Sequence, residues 1–101
     1  MTLVAIITVK RAALESFREF ERQAAMVMAS YGGRIERTVV TDGSTPEVLK
    51  EIHVVTFPDE VAFRAYRDDA RLARHAHLRE ASVVDTEVLV GEEGPRYEAG
   101  R

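Results

Sequence analysis

The segment at residues 3–9 constrains the fold most strongly, because every residue in it is apolar or β-branched. A strand with one face in water alternates apolar and polar side chains, whereas a strand covered on both faces reads as a continuous apolar run. The segment therefore predicts a central strand with protein packed against both faces. A chain of 101 residues has room for about one domain, so we expect this strand to lie in a single core.

An amphipathic helix follows the first strand. Apolar residues recur every three or four positions from Leu14 to Tyr31, and charged residues fall largely between them. This spacing predicts a helix of about five turns. Gly32 and Gly33 end the helix, because glycine enters the left-handed conformation without a Cβ clash.

Two further strands form a predicted hairpin. Residues 34–41 carry charges at Glu36 and Arg37, which indicates an edge strand. The turn-forming residues 42–46 connect it to a more apolar strand at residues 48–57.

A second helical region and a last strand complete the chain. The carboxylate of Asp59 is a predicted helix cap, and residues 68–78 are expected to break into a second short helix. Residues 82–90 are the last predicted strand. The apolar positions of the second helical region are Ala62, Phe63, Tyr66, Ala70 and Ala73.

The order of these elements predicts an α+β fold, namely a ferredoxin-like βαββαβ sandwich with an antiparallel sheet. We expect one domain over residues 1–92 and a polar tail over residues 93–101. Helices in such a fold cover one face of the sheet, yet the other face is also apolar here. We therefore predict that a second copy of the chain covers that face, sheet against sheet, with two-fold symmetry. The residues of this face are Val4, Ile6, Ile52 and Val54.

Composition excludes several classes of function. The chain has no cysteine, which rules out thiolate nucleophiles, iron–sulfur clusters and cysteine-based zinc sites. A net charge of −3 disfavours nucleic acid as a partner. No apolar run approaches the ~20 residues that span a bilayer, so we expect a cytoplasmic protein without a membrane partner. Phosphate-binding glycine loops and the G-x-S-x-G elbow are missing, and we expect no cofactor.

Four segments carry a resemblance to a known family: Tyr31-Gly32-Gly33-Arg34, Phe57-Pro58-Asp59-Glu60, Ala62-Phe63-Arg64-Ala65-Tyr66-Arg67-Asp68 and residues 84–90. They resemble the dimeric α/β-barrel superfamily, which includes the antibiotic-biosynthesis monooxygenases, and above all its branch of short uncharacterised proteins. The resemblance extends to about Glu92. It departs at residues 69–72, where the branch usually shows a Ser-Pro-Glu-Tyr-like step.

The resemblance implies a homodimer that binds a small, often aromatic ligand in the cleft between helices and sheet. Several members of the superfamily oxidise or isomerise such ligands without a bound cofactor. Its haem-degrading members rely on an asparagine in the first strand and a tryptophan in the second helix, and its quinone-forming monooxygenases also tend to use these residues. This chain has neither residue type, which disfavours haem degradation and weakens the oxygenase interpretation.

His53 is the candidate catalytic acid or base, because it lies in the middle of an apolar strand where burial and a carboxylate partner can tune its proton affinity. Strand alternation places Glu51 and His53 on one face. Asp85 and Glu87 share a face of the last strand, so a contact across the sheet from His53 to one of them is possible. The alternative is a purely structural histidine.

Four other residues are candidates for ligand binding. Tyr66 can direct its hydroxyl into a cleft, and Arg34 can bind a carboxylate in a bidentate manner. His77 and Arg79 can meet an anionic ligand at the cleft mouth. Each has a simpler alternative as a core or surface residue. The pair of histidines at positions 75 and 77 has poor spacing for a helical metal site, and we expect no metal.

Two functions follow from these residues. The first is a homodimer that binds a small organic molecule, apolar or aromatic with an acidic group, and acts as a cofactor-independent monooxygenase or isomerase. The second is a non-catalytic module that dimerises or binds a metabolite. A third possibility is an auxiliary domain of a larger enzyme that docks through its polar tail.

Overall fold

The structure is a computed structural model that describes residues 1–41 and 45–98. Its order of strands and helices confirms the predicted βαββαβ arrangement. The elements are β1 (Thr2–Lys10), a 3-10 turn (Arg11–Ala13), α1 (Leu14–Ala29), β2 (Arg34–Val40), β3 (Val48–Thr56), α2 (Glu60–Arg67), α3 (Ala70–Ala73), α4 (Ala76–Ser82) and β4 (Val83–Gly91).

The four strands form one antiparallel sheet in the order β2-β3-β1-β4, so the two-sided apolar strand β1 lies inside the sheet as predicted. Ala5 of β1 is paired with His53 of β3 on one side and with Val88 of β4 on the other. Directly paired residues point to the same face of a sheet, so these three side chains share one face.

The helices pack on that same face. Phe17, on the apolar side of α1, is fully buried against Val9 and Leu49 of the sheet. A second apolar cluster joins Met28 of α1 to Phe57, which directly follows β3, with Phe63 and Tyr66 of α2 packed around it. The periodic apolar residues of α1 therefore pack against the sheet in two separate clusters, one around Phe17 and one around Met28.

Gly33 allows α1 to end close to the sheet. The chain leaves the helix through Gly32, whose φ is +72°, and the Gly33 N–H donates to the Met28 carbonyl oxygen over 3.0 Å. A Cβ atom at position 33 would lie 2.4 Å from Cε1 of Phe57 and 2.7 Å from Cγ of Met28. The turn therefore needs glycine for space as well as for backbone conformation.

The second helical region is more divided than the sequence indicates. Asp59 caps α2 as predicted, since its side chain accepts from the Ala62 N–H over 2.8 Å. A second carboxylate, Asp69, caps α3 through the Arg71 N–H over 2.7 Å and accepts the Tyr31 hydroxyl hydrogen over 2.7 Å. The region was predicted to break once, into two helices. It breaks twice, because Asp69 starts the short helix α3 and α4 follows it.

Other boundaries differ by small amounts. α1 has 16 residues and is shorter than predicted, because the glycine turn begins before Tyr31. Ser82, predicted as the first residue of the last strand, ends α4 instead, and its hydroxyl donates to the Leu78 carbonyl oxygen over 2.7 Å. Parts of the predicted turn (residues 42–46) and of the predicted tail (residues 93–101) lie outside the described residues, namely 42–44 and 99–101. In the described part, none of the helices combines the length and the apolar character needed to cross a bilayer.

The sheet face away from the helices is apolar along its two central strands. Its residues Val4, Ile6, Ile52 and Val54 are half-buried by one another, without a helix over them. Val39 on β2 and Leu89 on β4 extend this face and are 42% and 53% exposed.

We predict that Gly33→Ala lowers the free energy of unfolding by about 1–3 kcal/mol, because the new methyl group has to displace Phe57 and Met28. Urea denaturation followed by circular dichroism measures the change. Gly94→Ala is the matched control and should change it by less than about 0.5 kcal/mol, since nothing lies within 4 Å of the added Cβ. Equal stability of the two variants would show that Gly33 is not sterically required.

Candidate functional site

A cavity of about 370 Å³ lies between the helices and the sheet. Its size suits a small organic molecule. The small side chain of Ala5 on the central strand leaves room above the sheet, and larger apolar residues surround that space. This apolar wall includes Leu3, Phe20, Met28, Val55, Phe57 and Phe63.

The cavity also has a polar part of its lining. Its polar lining comprises Glu21, His53, Tyr66, Arg67, Arg79 and Thr86. A wider surface depression of about 560 Å³ lies beyond Phe63, and its polar lining, which includes Asp59, Glu60 and Arg64, is exposed. Only the first of these two spaces places a buried titratable side chain beside an apolar wall, and we take it as the candidate site.

His53 is held by a carboxylate on its own strand. Its Nε2 lies 2.9 Å from Oε1 of Glu51, two residues earlier on the same face of β3. Both side chains are buried, with 5% and 3% of their surface exposed. Oε2 of Glu51 lies 3.1 Å from a guanidinium nitrogen of Arg18, which is an ion pair by distance but lacks the direction of a hydrogen bond.

The second ring nitrogen of His53 points to another carboxylate. Nδ1 lies 3.7 Å from Oε2 of Glu21, which is too long for a hydrogen bond. Glu21 belongs to α1 and lines the cavity together with His53. His53 is therefore flanked by two carboxylates, one behind it in the sheet and one beside the cavity.

The predicted contact across the sheet from His53 to Asp85 or Glu87 is wrong. The register pairs Ala5 with Val88 and Ile6 with Glu87, so the helix-facing side chains of β4 in this region are Thr86 and Val88. Asp85 and Glu87 lie on the opposite face of the sheet.

Burial raises the pKa of the Glu21 carboxyl group, and the nearby Glu51 carboxylate raises it further. His53 lowers that pKa by more than Glu51 raises it, Arg79 and Arg18 lower it by smaller amounts, and burial is the largest of these effects. Burial also raises the pKa of Tyr66 to about 12, with a contribution from Glu21, so its hydroxyl stays a hydrogen-bond donor at neutral pH.

The structure brings together three of the five residues singled out in the sequence: His53, Tyr66 and Arg79 all line the cavity. The guanidinium of Arg79 donates to Oγ1 of Thr86 over 2.6 Å, which links α4 to β4. Arg34 is exposed and lies 3.2 Å from the carboxylate of Glu36, and His77 is exposed on α4. Neither of these two lines the cavity, and their predicted roles stay predictions.

Sequence reasoning missed Glu21 and Arg18, although a signal was present. Glu21 lies four residues after Phe17 and three before Ala24, which places a charged residue on the apolar side of α1. A carboxylate in that position is either paired or functional. Among the described residues, no group of three or more histidine, aspartate or glutamate side chains is arranged to hold a metal ion.

Solved structures of the antibiotic-biosynthesis monooxygenase type share this architecture. One antibiotic biosynthesis monooxygenase superposes with a TM-score of 0.68 at 16% identity, over 93% of this chain and 98% of that one. The chain therefore has the ferredoxin-like fold of that group, as its sequence resemblance implied.

Two further solved structures show the same fold. SnoaB, a cofactor-independent oxygenase from Streptomyces nogalater, has a TM-score of 0.62 at 16% identity, over 92% of this chain and 94% of SnoaB. A protein of unknown function from Rhodopseudomonas palustris has a TM-score of 0.70 at 16% identity, over 92% of this chain and 84% of that one. No family model and no curated protein matches the chain.

We predict that Glu21→Gln changes how stability depends on pH. Because the pKa of Glu21 is raised in the folded state, its contribution to stability is complete below its ordinary pKa of 4.5 and is lost as pH rises through the folded value. The variant avoids this loss, so its free energy of unfolding should rise relative to the parent as pH increases above 4.5.

Glu19→Gln is the matched control, and urea denaturation at each pH measures both variants. The pKa of Glu19 is lowered by hydrogen bonds from Gln23 and Arg22, so its contribution is present above its ordinary pKa and is lost on acidification. The two variants should therefore change the pH dependence with opposite signs. Parallel curves for Glu21→Gln and the parent would contradict the prediction.

Proposed function

We propose that the chain binds a small, largely apolar or aromatic molecule with an acidic group in the cavity and acts on it as a cofactor-independent monooxygenase or isomerase. The observation that carries this proposal is the position of His53. It is a buried histidine, held by Glu51 through Nε2, and it borders an apolar cavity beside a second carboxylate. A histidine oriented by a carboxylate in a cleft is suited to general acid–base catalysis.

The other polar residues of the cavity support a ligand with an acidic group. The guanidinium of Arg79 has spare donors beyond its bond to Thr86, and Arg67, whose guanidinium lies over the Phe63 ring, also lines the cavity. Tyr66 supplies a neutral hydroxyl donor. We assign these residues to orienting the ligand, while His53 and its carboxylates move a proton.

Two reaction types remain within the proposal. The fold similarity to SnoaB, described as a cofactor-independent oxygenase, supports oxygen chemistry. The lack of asparagine and tryptophan supports proton transfer alone, as in an isomerase. Both begin by removing a proton from the ligand.

We also assign the apolar sheet face to a second copy of the chain, which would complete a dimeric α/β barrel. The half-buried side chains of Ile6 and Val54 and the exposed Leu89 would meet their equivalents across a two-fold axis. A chain of this size buries a modest fraction of its surface when it folds alone, so association would add stability.

The alternative is a non-catalytic dimerisation or metabolite-binding module. The observation in its favour is that His53 forms a hydrogen bond with Glu51, which in turn forms an ion pair with Arg18, as in a structural network. The two functions differ in what His53 does, since only the first requires it to act on a bound molecule.

His53→Gln tests this difference, because the glutamine amide retains a donor for Glu51 and should preserve the fold. We expect the variant to bind 2-naphthoate, an aromatic acid used as a fluorescent probe, about tenfold more weakly than the parent, with a similar unfolding temperature. His77→Gln, on the exposed side of α4, is the control and should bind like the parent. Unchanged affinity together with lower stability would favour the structural role.

Sedimentation tests the dimer. At micromolar concentration the chain should sediment at about twice its mass of 11.3 kDa, and Val54→Glu should return it towards 11.3 kDa. Met26→Glu introduces the same charge at an apolar residue that is 68% exposed on α1, and it should leave the dimer intact. A monomeric parent would exclude the sheet-to-sheet model.

A further inference from the structure

Four polar residues form a row between α1 and the sheet, and one end of this row reaches the cavity. Arg18 contacts Glu51, Glu51 binds Nε2 of His53, and Nδ1 of His53 faces Glu21. Only the last two members line the cavity. The side chains of Glu51 and His53 in the middle are 3% and 5% exposed, whereas those of Arg18 and Glu21 at the two ends are 36% and 21% exposed.

The residues of this row differ in how much hydrogen-bonding capacity they have free for a ligand. One ring nitrogen of His53 is committed to Glu51. The carboxylate of Glu21 makes no hydrogen bond within residues 1–41 and 45–98, and its nearest ring nitrogen is 3.7 Å away. A bound molecule with a hydrogen-bond donor would therefore find a free acceptor on Glu21, which lines the cavity.

Building on the proposed function, we infer that Glu21 is the group that exchanges a proton with the ligand, while His53, which also lines the cavity, and Glu51 are positioning residues. The preferred substrate is then a molecule with an acidic hydrogen beside a carbonyl or on an aromatic hydroxyl. This assigns a catalytic role to a residue on α1 that the strand pattern around His53 does not indicate.

The chemical step is balanced without any other reagent. A carboxylate oxygen of Glu21 takes the proton from the ligand, and the electron pair of the broken bond stays on the ligand as an enolate or phenolate. Arg79, fixed by its bond to Thr86, is placed to stabilise that negative charge. For an isomerisation, Glu21 returns the proton to a second atom of the same molecule and regains its starting state.

The charges around Glu21 suit this role. His53 and Glu51 face it from β3, Arg79 from α4 and Arg18 from its own helix, while the neutral hydroxyl of Tyr66 comes from α2. Burial and Glu51 raise its pKa, and the three cationic or basic groups oppose them. The proton of Glu21 is therefore gained and lost closer to neutral pH than that of an exposed glutamate.

The test is the pH dependence of 2-naphthol binding. This probe has one hydroxyl donor, stays neutral from about pH 4 to about pH 8, and is readily detected by fluorescence in a chain without tryptophan. If its hydroxyl contacts Glu21, affinity should rise about tenfold as Glu21 ionises, because a hydrogen bond to an ionised acceptor is stronger. Glu21→Gln should bind with an affinity that does not change with pH.

Two variants and one direct measurement complete the experiment. Glu19→Gln, an exposed carboxylate on the same helix, should keep the pH dependence of the parent. His53→Gln should also keep it but move its midpoint to higher pH, since His53 lowers the pKa of Glu21. Carboxyl carbon NMR of the parent gives the midpoint of Glu21 itself, which should coincide with the midpoint of binding.

The outcomes separate this inference from the function on which it rests. A pH dependence that survives in Glu21→Gln and disappears in His53→Gln would overturn the inference and leave His53 as the ligand-contacting base. Affinity that is independent of pH in the parent would also overturn the inference. Failure of the parent to bind either naphthalene probe would instead overturn the proposed ligand cavity, and the inference with it.

Discussion

The packing of α1 on the sheet depends on compensating a buried carboxylate. Glu51 is 2% exposed under the helix, and a buried ion that loses its partner costs about 3–5 kcal/mol. Its partners come from two directions, His53 from the same strand and Arg18 from the helix. Two residues along a strand and three along a helix both place side chains on one face. The pair of Glu51 and His53 can therefore lie under the pair of Arg18 and Glu21, which fixes how the helix sits above β3.

Much of this architecture is readable from the sequence, because it follows from local patterns. The apolar run at residues 3–9 is a central strand, the glycine pair ends the first helix, and Asp59 caps the second. The local pattern does not show that Ser82 belongs to α4. Its hydroxyl donates a hydrogen bond to the Leu78 carbonyl oxygen in the preceding turn, and α4 extends by one residue to include it. Propensity alone favours a strand before the valine pair.

The candidate site was only partly predictable for a different reason. That Glu51 and His53 share a face follows from strand alternation, but which strand face meets a given helix residue is a tertiary property. Asp85 and Glu87 were therefore plausible partners until the register of β4 placed Thr86 and Val88 towards the helices. Fold similarity at 16% identity shows the arrangement of the helices and the sheet, but it does not identify the charged residues of the cavity.

The turn at Gly33 also sets the geometry of the ligand space. The ring of Phe57 occupies the place where a side chain of residue 33 would be, and the same ring contacts Phe63 and Tyr66 at centroid distances of 5.4 Å and 5.3 Å. These two rings line the cavity on the side of α2. A side chain at position 33 would therefore displace Phe57 and disturb the two rings packed against it, so the turn that ends α1 also shapes the space for a ligand.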